Sequence, residues 1–190
     1  MSIQYITRQT NLSCGHRVMD EKMLCHNVHG HEYITHLTFS FENMQEIGYA
    51  IDFKEIKRVF VQFLQDYMDH GMILNPKDTM LINTVQSLGS KLWIMSLNGH
   101  EEYCNPSVEN VAKEIFLSMD IISNELYKNS PTGLKIHKVL VYETPNCYTE
   151  VYRDGITDFE RSNFNTVRLN TVTEYAREKG VLEYDRRKLN

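Results

Sequence analysis

The segment Leu24–Tyr33, which reads LCHNVHGHEY, concentrates three histidines and a cysteine within ten residues. Residues two apart on a β-strand point to the same side, so His29 and His31 should share one face. Burying two imidazoles is costly unless each has a partner, which a metal ion or a hydrogen bond can supply. For this pair alone, hydrogen-bonded core histidines are the simpler interpretation, and a metal site is the alternative.

His16 shifts this balance towards metal, because it lies near the end of a preceding strand that should form a hairpin with the histidine strand. Three neutral imidazoles and an open fourth position describe a catalytic zinc site. Such a zinc ion can bind a substrate oxygen and make nearby protons more acidic. Cys14 shares the parity of His16, but the simpler role for its thiol is that of a small core residue.

Three further groups could carry proton chemistry. Cys25 lies on the loop before the histidine strand, where a thiolate beside a cation can act as a base or a nucleophile. Asp69 and His70 are either a histidine acid/base tuned by a carboxylate or a cation that favours a helix C-terminus, and both interpretations remain open. Glu143 is either an inward carboxylate that awaits a ligand with paired N–H donors or an exposed strand end.

Periodicity predicts the elements that position these groups. Asp52 and Glu55 form a capping-box pattern at the start of a helix that should stop at Gly71, and Asn105–Pro106 should start a second helix. Glu109, in the first turn of that helix, has an ordinary structural role there. The alternation of apolar residues predicts strands at about 3–18, 29–42, 134–144 and 147–153.

The order strand, strand, helix, helix, strand, strand predicts an α+β fold, with both helices on one face of an antiparallel sheet. The segment at about 76–104 is long for a connection, and its apolar run KLWIMSL suggests a short edge strand. We expect one domain over 1–153 and a C-terminal extension over 154–190. The extension is charged and weakly periodic, which is compatible with one more strand or a short helix.

The composition fits a soluble domain, since 42% of the 190 residues are hydrophobic and 24% are charged. A net charge of -5 argues against direct binding to nucleic acid. No apolar run approaches the ~20 residues that span a membrane, and the N-terminus lacks a signal-peptide pattern. The sequence therefore predicts a cytoplasmic protein whose four cysteines, without CxxC spacing, are free thiols.

Six segments taken in order resemble the family of 6-pyruvoyl-tetrahydropterin synthases and 6-carboxytetrahydropterin synthases. They are CGHRV, CHNVHGHEY, GYAIDFKEIK, MDHGMILN, NPSVENVAKEIF and VYETPN, and they cover most of residues 10 to 150. The resemblance implies the tunnelling fold, or T-fold, in which subunits join their sheets into an oligomeric barrel with active sites at the subunit interfaces.

The resemblance also implies roles for individual residues. By the family's pattern, His16, His29 and His31 would bind Zn2+. Cys25 would be the proton-abstracting thiolate, and Asp69 with His70 would form the partnered acid/base. Glu143 would anchor the pterin ring through its N–H edge, while Ser107 and Glu109 would line the pterin pocket.

The spacing C-x-x-x-H-G-H from Cys25 to His31 is similar to the 6-carboxytetrahydropterin branch of the family. The implied reaction converts 7,8-dihydroneopterin triphosphate to 6-carboxy-5,6,7,8-tetrahydropterin, with release of acetaldehyde and triphosphate, on the way to 7-deazaguanine compounds such as queuosine. The alternatives are a 6-pyruvoyl-tetrahydropterin synthase acting on the same substrate, a non-catalytic T-fold module that binds pterins or purines, and a structural zinc protein.

Overall fold

A long antiparallel hairpin of two strands forms the centre of the sheet. The computed structural model describes residues 3–97 and 104–188. Its strands are β1 (Gln4–Arg17), β2 (His29–Phe41), β3 (Gly71–Leu74), β4 (Lys91–Ile94), β5 (Lys135–Thr144) and β6 (Cys147–Tyr152). They form one sheet in the order β4-β3-β1-β2-β5-β6. The hairpin β1–β2 and the two later strands lie where the sequence predicted them.

The sheet is mixed, so the prediction of a purely antiparallel sheet was wrong. β3 pairs with β1 and β4 pairs with β3, both in parallel. Parallel neighbours require a crossover, which β2 and the first helix supply between β1 and β3, and which residues 75–90 supply between β3 and β4. KLWIMSL does contain an edge strand, β4, as expected, whereas β3 was not predicted because it has only four residues and follows the helix after a turn of three.

The helices are α1 (Phe53–Ile56), α2 (Gln62–Tyr67), α3 (Thr79–Ser87), α4 (Val108–Tyr127) and α5 (Asp158–Lys188). A π-helical stretch, Lys57–Val61, joins α1 to α2 without a break. Asp52 caps α1 as predicted, since its side chain accepts a hydrogen bond from the Lys54 amide. None of the helices in these ranges is long and apolar enough to cross a membrane.

The main core lies between one face of the sheet and the joined helix α1–α2 together with α4. Phe39 of β2 contacts Phe60 of the π-helical stretch, with ring centroids 4.5 Å apart. Alternate residues of β2 are buried there, as the period of two predicted. The short helix α3 instead packs Ile82 and Val85 against Leu74 in a separate cluster. This cluster lies on the face of β3 and β4 that is opposite to the main core.

Two boundaries differ from the prediction. The first helix ends at Tyr67, a turn over 68–70 follows in which His70 adopts the left-handed conformation at φ 58, and Gly71 already belongs to β3. Helix α4 is capped by the Ser107 side chain, which accepts a hydrogen bond from the Asn110 amide, and not by Asn105. The side chain of Asn105 is engaged elsewhere, which the pairing of a capping residue with a following proline could not reveal.

The C-terminal extension forms α5, a much longer helix than the short element that the sequence suggested. Phe164, Val172, Tyr175 and Ala176 are buried in the main core. The Tyr175 hydroxyl donates to the Val59 carbonyl in the π-helical stretch at 2.8 Å. Because α5 covers a second side of α4, polar residues of α4 are buried together with its apolar stripe.

Glu114 of α4 lies at the centre of this contact. Its carboxylate is fully buried and accepts hydrogen bonds from the Trp93 indole and from the Ser96 amide and hydroxyl. The Arg168 guanidinium of α5 stacks on the Trp93 ring at 4.1 Å and supplies positive charge near the carboxylate. Burial raises the pKa of Glu114 despite these donors. Arg168 also donates to the Ile94 carbonyl of β4, so the extension is tied to the sheet at the site where Glu114 is buried.

We expect Glu114→Ala to lower the free energy of unfolding by about 3–5 kcal/mol, because it leaves the buried donors of Trp93 and Ser96 without their acceptor and the buried Arg168 charge without its nearby counter-charge. Urea denaturation at fixed protein concentration measures this loss. Glu125→Ala is the matched control on the same helix, since its ion pair with Arg177 is largely exposed and should contribute about 0–1 kcal/mol. Equal losses in the two variants would show that the buried carboxylate has no special role.

Candidate metal centre and active site

The three histidines converge at one end of the hairpin β1–β2. His16 lies directly opposite His29, and Cys14 lies opposite His31. His16, His29 and His31 each offer one ring nitrogen within 4.8 Å of the others. A Cβ atom at Gly30 would lie 3.0 Å from the Cys14 carbonyl oxygen, so glycine permits the close approach of the two backbones at this level. The position that the sequence predicted for His16 is confirmed.

Main-chain carbonyls fix the proton positions on two of these rings. The Nδ1 atom of His16 lies 2.8 Å from the Pro106 carbonyl oxygen, and that of His29 lies 2.7 Å from the Asn27 carbonyl oxygen. A carbonyl oxygen can only accept, so each Nδ1 must carry the proton. In the neutral rings both Nε2 atoms then present lone pairs.

These lone pairs test whether the site fits a metal ion. The Nε2 atoms of His16 and His29 are only 3.0 Å apart, and with both protons on Nδ1 neither neutral ring has a proton to share. Burial lowers the pKa of His16 to about 4, which keeps that ring neutral at physiological pH. Two lone pairs this close together repel each other unless a cation binds both. A hydrogen bond from the other ring nitrogen to a main-chain carbonyl is also usual for metal-bound histidines. The donor set therefore fits a metal ion such as Zn2+.

Glu143 reaches the same cluster from β5. Its Oε1 atom lies 3.9 Å from Nε2 of His16 and 4.0 Å from Nε2 of His31, and a fifth of its side chain is exposed. A register shift in the pairing of β5 with β6 falls between Tyr142 and Thr144, at the position of Glu143. The carboxylate therefore stands beside the histidines while remaining open to solvent or a ligand.

Cys25 is half-buried on a 3₁₀ turn, Leu24–His26. Its carbonyl oxygen accepts a hydrogen bond from the Val18 amide at 2.8 Å, which folds the loop back onto the end of β1 beside the cluster. Cys14 differs from it, because its thiol donates to the Met68 carbonyl at 3.2 Å. Burial, with a further contribution from the negative charge of Asp69, raises the pKa of Cys14 to about 12, so this thiol stays neutral and unreactive.

Asp69 and His70 form the pair that the sequence left open. Oδ2 of Asp69 lies 2.9 Å from Nδ1 of His70, and Oδ1 accepts from the Ser13 amide at 2.8 Å. The His70 side chain is 79% exposed. The pair is level with Ser13 on the β3 side of β1. His29 and His31 lie on β2, on the other side of β1, and His16 lies three residues after Ser13, which is about 10 Å along the strand. Within one chain, His70 is therefore apart from the histidine cluster.

Ser107 and Glu109 lie at the start of α4. The Ser107 side chain is occupied as the helix cap, and it follows directly on Pro106, whose carbonyl holds His16. Glu109 is exposed in the first turn. The structure thus brings His16, His29, His31 and Glu143 together, puts Cys25 and Ser107 beside them, and leaves Glu109 and the Asp69–His70 pair further out.

The sequence prediction missed Tyr33 and two carbonyl groups. The Tyr33 hydroxyl is buried without a hydrogen-bond partner among residues 3–97 and 104–188, and its ring contacts those of His16 and His31. Burial, followed by the charge of Glu143, raises the pKa of this phenol. Strand parity puts Tyr33 on the face of the histidines, but no sequence signal could mark the carbonyls of Asn27 and Pro106.

A mixed sheet with two long helices against one face and a histidine cluster at the end of its hairpin is the architecture of the T-fold enzymes. The solved 6-pyruvoyl tetrahydropterin synthase of Plasmodium vivax superposes with a TM-score of 0.56 at 19% identity, over 80% of this chain and 99% of that one. The T-fold of the single subunit that the resemblance implied is thereby confirmed.

Relatives in sequence agree with this architecture. The 6-carboxy-5,6,7,8-tetrahydropterin synthase of Rickettsia typhi is 31% identical over 150 residues, which cover 76% of this chain and 97% of that protein. The enzyme of the same name from Rickettsia bellii is 28% identical over 148 residues, with the same coverage. The model of the 6-pyruvoyl tetrahydropterin synthase family matches residues 5–154, and the chain belongs to this family.

Burial predicts the order in which the four thiols react with iodoacetamide. Cys147 is exposed and Cys25 is half-buried, whereas Cys14 and Cys104 are buried. We expect peptide mass spectrometry of the folded protein to find labelling at Cys147 first and then at Cys25, with Cys14 and Cys104 protected until urea is added. Labelling of Cys14 at the rate of Cys147 in the folded protein would contradict the buried position of that thiol.

Proposed function

We propose that this protein is a zinc-dependent 6-carboxytetrahydropterin synthase. It converts 7,8-dihydroneopterin triphosphate to 6-carboxy-5,6,7,8-tetrahydropterin, with release of acetaldehyde and triphosphate, in the biosynthesis of 7-deazaguanine compounds such as queuosine. The observation that carries the proposal is the convergence of three imidazoles beside Glu143, in a chain whose relatives at 28–31% identity bear that enzyme's name.

His16, His29 and His31 would hold the zinc ion and leave a position open for substrate. When bound, zinc supplies a Lewis acid that polarises substrate oxygens and makes neighbouring C–H and O–H protons more acidic. The carbonyls of Pro106 and Asn27 hold two of the rings in the tautomer that binding requires. The chain's own contribution is a preformed set of ligands, which reduces the reorganisation needed when the metal and the substrate arrive.

Cys25 and His70 move the protons of the reaction. Cys25 acts as the base that takes a proton from the substrate side chain, and its place on the loop beside β1 supports this role. His70 gives or takes the second proton through Nε2, since its Nδ1 is engaged with Asp69. Asp69 is in turn oriented by the Ser13 amide, so the hydrogen bonds from Ser13 to Asp69 and from Asp69 to His70 together fix the orientation of the imidazole.

Glu143 anchors the pterin ring by accepting its paired N–H donors, which are a good match for a carboxylate. The 3.9–4.0 Å distances from its Oε1 atom to two imidazoles support this role, because the ring would then lie within reach of the metal. Ser107 and Glu109 line the same pocket from the start of α4. The catalytic domain comprises residues 1–153, and residues 154–190 are an extension whose helix α5 packs against it.

The active site is shared between subunits of a homo-oligomer, in which the sheets join into a barrel. The exposure of His70 and its separation of about 10 Å along β1 from His16 support this arrangement, since one chain alone does not bring them together. Edge strands β4 and β6 leave the sheet open on both sides for such pairing.

The zinc-loaded protein, incubated with 7,8-dihydroneopterin triphosphate, should release acetaldehyde and triphosphate and form 6-carboxy-5,6,7,8-tetrahydropterin, which chromatography with mass detection identifies. Turnover without acetaldehyde would overturn the proposal in favour of a 6-pyruvoyl-tetrahydropterin synthase.

Cys25→Ala should abolish turnover and keep its zinc, whereas Cys147→Ala is the matched thiol control with full activity. If His29→Ala unfolds the protein, the zinc is structural.

A complementation experiment tests the shared site. Cys25→Ala and His70→Ala chains should each be inactive alone, but oligomers refolded from an equal mixture should regain roughly a quarter of the wild-type activity if each site combines residues of two chains. Mixed oligomers without activity would mean that both residues act within one chain. Mixing each variant with itself controls for the refolding step.

A further inference from the structure

We propose that Asn105 is the positioning residue of the histidine cluster. Its side chain fixes the main chain at Pro106, whose carbonyl sets the tautomer and the orientation of His16. This inference rests on the metal site of the proposed function and assigns the residue that keeps the site assembled.

Asn105 binds two segments of the chain that flank the cluster. Its Oδ1 atom accepts from the Met19 amide at 2.9 Å and from Nδ2 of Asn75 at 2.9 Å. Its own carbonyl oxygen accepts from Nδ2 of Asn110 at 3.0 Å. One amide oxygen thus uses both lone pairs to join the end of β3 to the loop that leads from β1 to Cys25.

Pro106 depends on this anchor because a proline has no N–H with which to hold its own position. It is buried between Asn105 and the helix cap Ser107, and its carbonyl lies 2.8 Å from Nδ1 of His16. Since the Ser107 side chain fixes the following turn, the position of the carbonyl is determined by two polar side chains, one on each side.

The contacts continue from Asn75 back to the strand that carries His16. Asn75 is fully buried, and its main-chain carbonyl accepts from the Asp78 amide at 2.9 Å. Asp78 binds Arg17 through both carboxylate oxygens, at 2.6 and 2.7 Å. Arg17 directly follows His16, so this network fixes the strand that carries His16 as well as the Pro106 carbonyl that binds its ring.

Removal of the Asn105 side chain should therefore weaken the metal site without touching a ligand. Asn105→Ala leaves the Met19 amide and the buried Asn75 amide group without their acceptor, and the Pro106 carbonyl loses its anchor on one side. Loss of a group that orients a metal-binding histidine typically weakens metal affinity by about 10- to 100-fold.

The test compares zinc affinity among full-length variants by competition with a chromophoric chelator. Asn105→Ala should raise the zinc dissociation constant by about 10- to 100-fold. Asn105→Asp keeps the acceptor oxygen, so its affinity should stay within about threefold of the wild type. Asn43→Ala is the matched control, because among residues 3–97 and 104–188 the Asn43 side chain binds a remote loop carbonyl, that of Pro131, and its loss should leave zinc affinity unchanged.

A purely structural role for Asn105 predicts a different result, in which Asn105→Ala lowers the thermal midpoint of the metal-free protein and leaves zinc affinity as in the wild type. That result would overturn the proposal, as would an Asn105→Asp variant as weak as Asn105→Ala. If Asn105→Ala does not fold, Asn105→Ser, whose shorter side chain should hold one of the two donors, takes its place. Its loss of zinc affinity should be intermediate, and an unchanged zinc affinity would overturn the proposal. A wild-type protein that binds no zinc would instead defeat the proposed function.

Discussion

The register of the hairpin β1–β2 is the constraint on which the rest of the structure depends. The pairing continues without a shift from Gln4 opposite Phe41 to His16 opposite His29. At one end this register buries Phe39 and Phe41 in the core, and at the other it turns His16, His29 and His31 to the same side. A slip of one residue would move every one of these side chains to the opposite face, so core and candidate site are specified by the same pairing.

Chemistry at the cluster follows from which atoms are left free. Main-chain carbonyls accept hydrogen bonds from the Nδ1–H groups of His16 and His29, and burial keeps His16 neutral. The cluster therefore offers Nε2 lone pairs with a carboxylate, Glu143, about 4 Å away. The same strand β1 carries the neutral thiol of Cys14, whose bond to the Met68 carbonyl separates it from the reactive half of the site. Core and ligand residues thus follow one another on the same face of one strand.

Much of the fold could be predicted because its signals are local. The period of two in β2 and the cap at Asp52 each depend on a few neighbouring residues. The misses have non-local causes. β3 is a strand only because it pairs with β1 and β4, and α5 is long because core contacts of Phe164 and Tyr175 stabilise a helix whose own sequence is weakly periodic. Glu114 is buried because α5 covers it.

By itself, the sequence determined the residue types of the candidate site and the parity that turns His29 and His31 the same way. Parity is a property of the backbone and needs no partner. Only the tertiary structure decided the register that puts His16 directly opposite His29, the choice of Pro106 and Asn27 as the orienting carbonyls, and the solvent-facing position of His70 away from the cluster. These relations join segments up to 90 residues apart, and carbonyl groups are common to every residue, so no local pattern encodes them.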